Sequence, residues 1–222
     1  MSAVPVIGLA LVLAACAGPE RPAAPADRVS RVKPGVEVFL EKHLDLVKGK
    51  RVGLITNPTG ADADLRSTID LFRASPAIDL VALYGPEHGV RGNAQAGEYV
   101  PFYFDDAFKL PVFSLYGQSM NPAPGMLRNI DEYMRSFDTN QTGKVPEEGM
   151  VKGIDVLVFD IQDVGTRVYT YVATMANAME AAAEAGIEFI VLDRPAPING
   201  LDMEGAVLEY PEFSSFIGRF PT

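Results

Sequence analysis

Five short apolar runs recur along the chain, and each gives way to polar or glycine-rich sequence. They lie at 51–57, 79–84, 111–116, 156–159 and 188–192. The runs are rich in Val, Leu and Ile with few polar interruptions, which is typical of strands that are buried on both faces of a parallel sheet. We therefore predict five strands, of which the run at 156–159 is the clearest.

Segments with helical spacing separate these strands. Apolar residues recur three or four positions apart at 36–47, 65–72, 126–134 and 171–185, and Asp64 is the expected cap of the second helix. The alternation of strands and helices predicts an α/β fold, with a doubly wound, mainly parallel sheet covered by helices on both faces. The segment 93–109 has no clear period and is predicted to be a long functional loop.

Polar and ionisable residues follow four of the five predicted strands. Parallel strands present their carboxyl ends at one edge of the sheet, where open α/β sheets bind ligands, so these residues are expected to converge on one site. They are Asn57 after the first strand, Glu87 and His88 after the second, Asp160, Gln162 and Asp163 after the fourth, and Asp193 and Arg194 after the fifth.

The turn that carries Glu87 and His88 is the most informative of these strand ends. Gly85, Pro86 and Gly89 interrupt the apolar run and let the backbone turn sharply. A carboxyl and an imidazole on a rigid turn suit proton transfer, with Glu87 as general acid/base and His88 positioning it. The alternative is a tight turn whose polar side chains cap a helix or meet solvent.

The net charge narrows the classes of partner. The chain has 19 Lys and Arg against 29 Asp and Glu, a formal net charge of −10. Nucleic acids and anionic membrane surfaces are bound through basic patches, so neither is expected as a partner. A small acidic ligand held by a few arginines is compatible with this charge, and Arg91, Arg167 and Arg194 all fall in loops at the predicted ligand-binding edge.

The N-terminal segment has features of an export signal. An apolar stretch at 4–15, too short to span a bilayer, ends at Cys16, the only cysteine. The ending Leu-Ala-Ala-Cys resembles the lipobox of bacterial lipoproteins, which implies lipidation of Cys16 and a location in the cell envelope. Residues 1–16 are then the signal, 17–32 a flexible tether and 33–222 the folded domain. A plain signal peptide or a chance cysteine is the alternative.

Carboxylate chemistry is the class of reaction that the remaining motifs favour. The sequence lacks the glycine-rich phosphate loops of nucleotide-binding folds and the GxSxG nucleophile turn, and no cofactor is expected. A glycosidase generally needs one carboxyl that protonates the leaving oxygen and a second group on the other side of the bond. A metal-dependent hydrolase is the alternative, with His88, Asp160, Asp163 and Asp193 as ligands, although their spacing matches no known motif.

Three motifs together resemble a known family. They are Gly85-Pro86-Glu87-His88-Gly89, the stretch FDIQDVGTRVYTY at 159–171, and Leu192-Asp193-Arg194-Pro195. They are similar to the exo-β-N-acetylmuramidase NamZ family, glycoside hydrolase family 171, and the similarity runs from Val32 to the end of the chain. Members of that family continue well past residue 222, so most of a smaller C-terminal domain is expected to be missing, and 137–150 looks like an insertion.

The resemblance implies a Rossmann-like fold and an exo-acting hydrolase that releases N-acetylmuramic acid from the non-reducing ends of peptidoglycan fragments. It implies that Glu87 is the catalytic glutamate. Tyr169, with Tyr171 beside it, is suited to stack on a sugar, and Arg91, Arg167 or Arg194 is suited to grip the lactyl carboxylate. The other expected substrate contacts are Asn57, Asp160, Gln162, Asp163 and Asp193. A muropeptide-binding lipoprotein without turnover is the alternative function.

Overall fold

The computed structural model describes residues 32–96, 98, 100–115 and 153–202, together with 205, 206, 209, 210, 212, 215 and 216. These residues belong to a unit that runs from Val32 to Thr222. The predicted signal segment, most of the predicted tether, the predicted helix at 126–134 and the predicted insertion at 137–150 all lie outside the described residues.

The described part of the chain alternates strands with helices, as the pattern of apolar residues predicts. In chain order the elements are α1 (Gly35–Lys42), a short 3-10 helix (Leu44–Val47), β1 (Arg51–Thr56), α2 (Thr68–Ala74), β2 (Asp79–Gly85), β3 (Tyr103–Asp105), β4 (Leu110–Ser114), β5 (Val156–Asp160), α3 (Tyr171–Ala185) and β6 (Glu188–Val191). No helix among the described residues is both long and apolar enough to cross a membrane.

The strands form one sheet in the order β3-β4-β2-β1-β5-β6. All neighbours pair in parallel except β3, which runs antiparallel to β4 at the edge. The chain thus builds outward from β1 in one direction and then returns to add β5 and β6 on its other side. This is the doubly wound order, and it confirms the predicted fold class.

The core consists of two apolar layers, one on each face of the sheet. Side chains alternate between the faces along a strand, so Leu54 and Ile55 in β1 lie in different layers. α3 covers the layer of Ile55 through residues such as Ala178. α1 and α2 cover the layer of Leu54 through Phe39 and Phe72, whose rings lie 5.7 Å apart. The near-continuous apolar strands are explained by this burial on both faces.

Asp64 is not the cap of α2, contrary to the prediction. The carboxylate of Asp62 accepts hydrogen bonds from the backbone N–H groups of Asp64 and Arg66, at 3.0 and 2.8 Å, and this holds the segment in a turn. Leu65, expected on the helix, is left-handed (φ 63°) and 87% exposed at this turn. The helix therefore starts only after Ser67, which caps it.

Two other predicted elements differ from those observed. The predicted helix at 36–47 is divided at His43, where α1 ends and the 3-10 helix begins. The predicted loop at 93–109 contains β3. A strand of three residues is too short to display the alternation of buried and exposed positions that identifies longer strands.

Candidate active site

The predicted site lies at the point where the strand order reverses, between β1 and β5. Thr56 and Asp160, the last residues of these two strands, lie opposite each other in the parallel register. The connections from β1 and β5 leave in opposite directions, and doubly wound sheets bind their ligands in the crevice that opens there. The last residue of β5 and the loops after β1, β2, β5 and β6 supply all the predicted catalytic and substrate-binding residues.

The turn after β2 holds Glu87 on a rigid backbone. A Cβ atom at Gly85 would lie 2.9 Å from the backbone nitrogen of Val90 and 3.0 Å from Cα of Gly89, so only glycine fits this close approach. His88 and Gly89 are both left-handed, with φ of 70° and 73°. Left-handed backbone is uncommon for a residue with a side chain and typically occurs where the surrounding structure demands it.

The tautomer of His88 follows from its hydrogen bond. Nδ1 lies 2.9 Å from the backbone oxygen of Ala94. A carbonyl oxygen can only accept, so Nδ1 carries the hydrogen, and Nε2 of the neutral ring presents a lone pair. The ring is therefore fixed in orientation next to Glu87 in the chain, and the catalytic role of His88 stays a prediction.

The start of α3 meets Glu87. Thr170 Oγ1 donates a hydrogen bond to Glu87 Oε2 at 3.2 Å. The rings of Tyr169 and Tyr171, on either side of Thr170, meet edge to face with centroids 4.7 Å apart. Thr170 lies within the motif at 159–171 but is not among the predicted site residues, since a hydroxyl at a helix start is usually a cap.

The hydroxyl of Tyr171 connects these groups. Burial is the main cause that raises its pKa, a side-chain hydrogen bond with Asn57 acts in the opposite direction, and Tyr169 and Glu87 both add to the rise. Asn57 and Tyr169 are hydrogen-bonding neighbours of the Tyr171 hydroxyl, and the Glu87 carboxyl is near enough to act on it electrostatically. The structure therefore brings together three predicted site residues, Asn57, Glu87 and Tyr169.

Asn57 also ties two loops together across the crevice. Its Oδ1 accepts hydrogen bonds from the N–H and the hydroxyl of Thr59, at 2.9 and 2.6 Å. Thr59 Oγ1 in turn accepts from the backbone N–H of Gln162 at 2.9 Å. Because Asn57 is only 7% exposed, its observed contacts are those of a residue that holds the loops in place. A contact between Asn57 and substrate stays a prediction.

Asp160 and Arg194 form a buried ion pair. Nε and Nη2 of Arg194 lie 2.6 and 2.9 Å from the two carboxylate oxygens, and the hydroxyl of Thr68 donates to the same carboxylate. Nη2 also donates to the backbone oxygen of Ala61 at 2.9 Å. Asp160 is fully buried and the Arg194 side chain is 9% exposed. Both carboxylate oxygens have donors within the protein, so this geometry favours a structural role over the predicted substrate contacts.

Arg91 is also engaged within the protein. Its Nε donates to Asp105 at 3.0 Å, and its guanidinium lies 4.7 Å from the centroid of the Phe108 ring. Burial by itself would raise the pKa of the Asp105 carboxyl, but hydrogen bonds from the Phe108 N–H and from Arg91 outweigh burial and lower it. The ion pair fastens the turn after β2 to β3.

Arg167 differs from the other two predicted arginines. It lies in the turn that leads into α3, where Tyr169 N donates to Thr166 O at 2.8 Å. Its side chain is half-buried, and within the described residues it makes no ion pair or hydrogen bond. Among the described residues, Arg167 is therefore the one of the three arginines whose guanidinium is not paired with a carboxylate.

A cavity of about 220 Å³ lies at the ends of β5 and β6 beside the start of α3. Gln162, Asp163, Tyr171, Asp193 and Arg194 line it, together with apolar side chains of β5, β6 and α3. The cavity thus collects four predicted site residues and the phenol that neighbours Glu87.

Asp163 has one oxygen without a partner at this cavity. Its Oδ2 accepts from the backbone N–H of Gly165 at 2.7 Å, whereas Oδ1 is buried and has no hydrogen-bond partner in the described structure. An orphaned carboxylate oxygen is costly, and a water or a ligand donor normally satisfies such a group. Gln162 Nε2 donates to the backbone oxygens of Asp163 and Pro195, at 2.7 and 3.0 Å, which fixes the loop that presents this carboxylate.

Asp193 is exposed and makes a local contact. Its Oδ1 accepts from the N–H of Arg194 at 2.9 Å.

The four residues of the metal-dependent alternative are not brought together, because no three His, Cys, Asp or Glu side chains in the described ranges are placed to share a metal ion. Cys16 lies outside the described residues.

The fold and site define a doubly wound α/β protein with a glutamate-centred site at the reversal of its strand order. The sequence matches the family model described as "Exo-beta-N-acetylmuramidase NamZ, N-terminal" over residues 52–143 and 135–222. The chain belongs to this family, which confirms the resemblance seen in its motifs.

Relatives of known sequence and structure agree with this assignment. Peptidoglycan beta-N-acetylmuramidase NamZ of Bacillus subtilis (strain 168) is 48% identical over 191 residues, which are 86% of this chain and 40% of that protein. A crystal structure of a DUF1343 family protein from Bacteroides fragilis NCTC 9343 is 48% identical with a TM-score of 0.67, over 85% of this chain and 41% of the other. A second such protein from the same organism is 29% identical with a TM-score of 0.59, over 86% and 42%. The chain therefore spans about two fifths of the length of these relatives.

Proposed function

We propose that this chain carries the catalytic glutamate of an exo-acting glycoside hydrolase, which releases terminal β-linked N-acetylmuramic acid from the non-reducing ends of peptidoglycan fragments. The observation that carries the proposal is the setting of Glu87. A rigid turn presents this carboxyl at the carboxyl-terminal edge of the sheet, where the hydroxyl of Thr170 at the start of α3 donates to it. Tyr171, the next residue along the chain, lines the cavity at the ends of β5 and β6. Family membership and the name of the B. subtilis relative support the substrate class.

The proposed chemistry assigns proton transfer to Glu87. Its carboxyl gives a proton to the glycosidic oxygen while the bond from that oxygen to the anomeric carbon breaks, and a water oxygen takes its place on the carbon. Asp163 Oδ1, which is buried and has no hydrogen-bond partner among the described residues, is suited to accept a hydrogen bond from a bound water. Tyr169 offers an aromatic ring beside the site, and His88 offers the lone pair of Nε2.

Arg167 is the proposed anchor of the acidic substituent. Muramic acid differs from glucosamine by a lactyl ether with a carboxylate, which a planar guanidinium binds through two parallel hydrogen bonds. Arg91 and Arg194 already bind Asp105 and Asp160. Arg167 lies three residues before Thr170, in the same segment that contacts Glu87.

The test is the hydrolysis of a chromogenic β-N-acetylmuraminide by the 222-residue chain, with Glu87→Gln beside it. Glu188→Gln is the matched control, since Glu188 lies at the opposite end of the sheet, where β6 begins, and pairs with Lys50 at 2.7 Å. We expect Glu87→Gln to lose at least about 100-fold in kcat and Glu188→Gln to keep wild-type turnover.

Each other outcome would change the proposal. Turnover that survives Glu87→Gln would show that another group donates the proton. A folded wild-type chain that binds muramyl fragments without hydrolysing them would favour the muropeptide-binding alternative. A folded chain that does neither would contradict the proposal for this chain.

Export and lipidation through Cys16 belong to the same proposal, and they are supported by the lipobox-like ending of the apolar N-terminal stretch. A peptidoglycan hydrolase attached to the envelope meets its substrate directly. Labelling cells with a tagged fatty acid tests this. Label on the wild-type chain that is lost in Cys16→Ser supports a lipoprotein, and an unlabelled wild-type chain contradicts it.

A further inference from the structure

In the part of the chain that the structure describes, two helices begin after a hydroxyl residue, and the two hydroxyls differ in what they bind. Ser67, before α2, has an extended backbone (φ −63°, ψ 144°), and its Oγ accepts from the N–H of Asp70 at 3.1 Å. This is the usual N-terminal cap, which satisfies one of the first backbone N–H groups of the helix. Thr170, before α3, has a helical backbone (φ −83°, ψ −6°) and makes no capping hydrogen bond.

The hydroxyl of Thr170 is directed at Glu87 instead. It donates to Oε2 at 3.2 Å, across 83 positions of sequence. The backbone of Thr170 still begins the helix normally, because its carbonyl oxygen accepts from the N–H of Thr174 at 2.9 Å and from the hydroxyl of Thr174 at 3.1 Å. The Thr170 hydroxyl thus does not stabilise the helix as a cap, and it forms a hydrogen bond with the Glu87 carboxyl instead.

We infer that Thr170 is a positioning residue for Glu87, an inference that rests on the proposed hydrolase function. The Thr170 hydroxyl has one hydrogen, and Oε2 of Glu87 receives it. The proton that Glu87 transfers is therefore carried on Oε1. Because the hydrogen bond also restricts rotation of the carboxyl group, it determines which oxygen points toward the glycosidic bond.

The proton balance of the reaction is consistent with this role. The proton on Oε1 passes to the leaving oxygen as the glycosidic bond breaks, and the bonding electrons go with that oxygen. The attacking water gives its oxygen to the anomeric carbon and releases a proton, which replaces the one lost from Glu87. Thr170 neither gains nor loses a proton, and its hydrogen bond to Oε2 persists throughout.

The experiment compares three variants of the 222-residue chain. Thr170→Val keeps the shape of the side chain and removes the hydroxyl, Thr170→Ser keeps the hydroxyl, and Ser67→Ala removes a true cap from the other helix. We expect Thr170→Val to lower kcat about tenfold, which is about 1.4 kcal/mol, with KM changed less than about twofold. Thr170→Ser is expected to restore most of kcat, and Ser67→Ala to keep it.

Thermal unfolding separates positioning from folding. Ser67→Ala is expected to lower the melting temperature by a few degrees, because it removes a cap, whereas Thr170→Val is expected to leave it nearly unchanged. Thr170→Val with normal kcat, or with a loss of stability that matches Ser67→Ala and a kcat that Thr170→Ser does not restore, would overturn the inference.

A measurement without turnover keeps the inference separate from the proposed function. The chain is labelled with glutamate that carries ¹³C at its carboxyl carbon, and the Glu87 resonance is identified by its absence in Glu87→Gln. We expect this resonance to move in Thr170→Val and to return close to its wild-type position in Thr170→Ser. An unmoved resonance would contradict the hydrogen bond even if the chain were active. A moved resonance in a chain without turnover would support the contact and contradict the hydrolase.

Discussion

Replacing Arg194 by methionine tests whether the buried ion pair with Asp160 holds the sheet edge together. The substitution keeps an unbranched apolar side chain and removes the guanidinium. Asp160 is then left fully buried, with the hydroxyl of Thr68 as its remaining side-chain donor among the contacts at the carboxylate. The loop after β1 also loses its contact, because Nη2 of Arg194 no longer reaches the backbone oxygen of Ala61.

The size of the effect follows from the burial of the pair. Removing one partner of a buried ion pair typically costs about 3–5 kcal/mol, because an uncompensated charge stays inside the protein. The 0% exposure of Asp160 places the expected loss near the middle of that range or above it, at about 4 kcal/mol. With a urea dependence of about 2 kcal/mol per molar, the midpoint of unfolding falls by about 2 M.

The assay is urea unfolding followed by circular dichroism and by tyrosine fluorescence, since the chain has 8 Tyr and no Trp. Arg51→Met is the matched control. Arg51 also pairs with an aspartate, Asp155, at 3.1 Å, but the two side chains are 35% and 41% exposed. Exposed pairs contribute about 0–1 kcal/mol, so the expected shift in midpoint is less than about 0.5 M.

Two results would refute this reasoning. An Arg194→Met variant no less stable than Arg51→Met would show that the buried pair contributes little beyond an exposed one. The double variant Asp160→Asn/Arg194→Met no longer holds a buried unpaired charge, so it is expected to be more stable than the sum of the single effects predicts, by about 1–3 kcal/mol. Simple additivity would mean that lost packing, and not an unpaired charge, causes the destabilisation.

The remaining predictions concern the turn after β2, the proposed substrate anchor Arg167 and the dependence of stability on acidic pH. Gly85→Ala forces a Cβ atom against the backbone of the Glu87 turn, so kcat on the chromogenic muraminide is expected to fall about tenfold or more in a chain that still unfolds cooperatively. Arg167→Met is expected to raise KM about tenfold with little change in kcat, because a charged hydrogen bond to the substrate is lost; an unchanged KM would exclude Arg167 as the anchor. With Asp105→Asn, the free energy of unfolding is expected to fall less steeply as the pH is lowered. Burial opposes the shift, but hydrogen bonds including that from Arg91 lower the folded pKa of Asp105 below its unfolded value. The stabilisation is thus complete above about pH 4 and is lost as the pH falls through the lowered pKa. Urea titrations at about pH 5 and about pH 2.5 measure this difference, and equal slopes for variant and wild type would contradict it.

The sequence predicts well where the strands lie and which polar residues follow their carboxyl ends. β1 and β5 are buried on both faces, as is the second half of β2, so their Val, Leu and Ile residues form near-continuous apolar runs. Glu87 and Asn57 follow two of these runs directly, and the topology of parallel strands then places them at one edge. The sequence therefore predicts that they converge, whereas the position of Tyr171 between them is known only from the structure.

The sequence alone does not reveal which charged residues form ion pairs with each other. Arg91, Arg167 and Arg194 all follow strand ends and look equivalent in the sequence. Two of them bind carboxylates that lie 14 and 34 positions away, and these contacts depend on the register of β3 against β4 and on the place where β6 ends. The turn around Asp62 is likewise not visible in the sequence. Its carboxylate accepts hydrogen bonds from nearby backbone N–H groups, and α2 therefore begins later than the spacing of the apolar residues predicts.

The distribution of charge along the sheet edge explains how one rim serves both stability and chemistry. On the side of β5 and β6, Asp160 and Arg194 neutralise each other inside the protein and connect to α2 and to the loop after β1. On the side of β1 and β2, Glu87 meets a hydroxyl that would otherwise cap α3. The first contact pairs two buried charges, whereas the second uses for a carboxyl a hydroxyl that could have capped a helix. Losing the two contacts should therefore affect different properties of the protein. Breaking the ion pair should mainly reduce the free energy of unfolding, whereas removing the Thr170 hydroxyl should mainly reduce kcat.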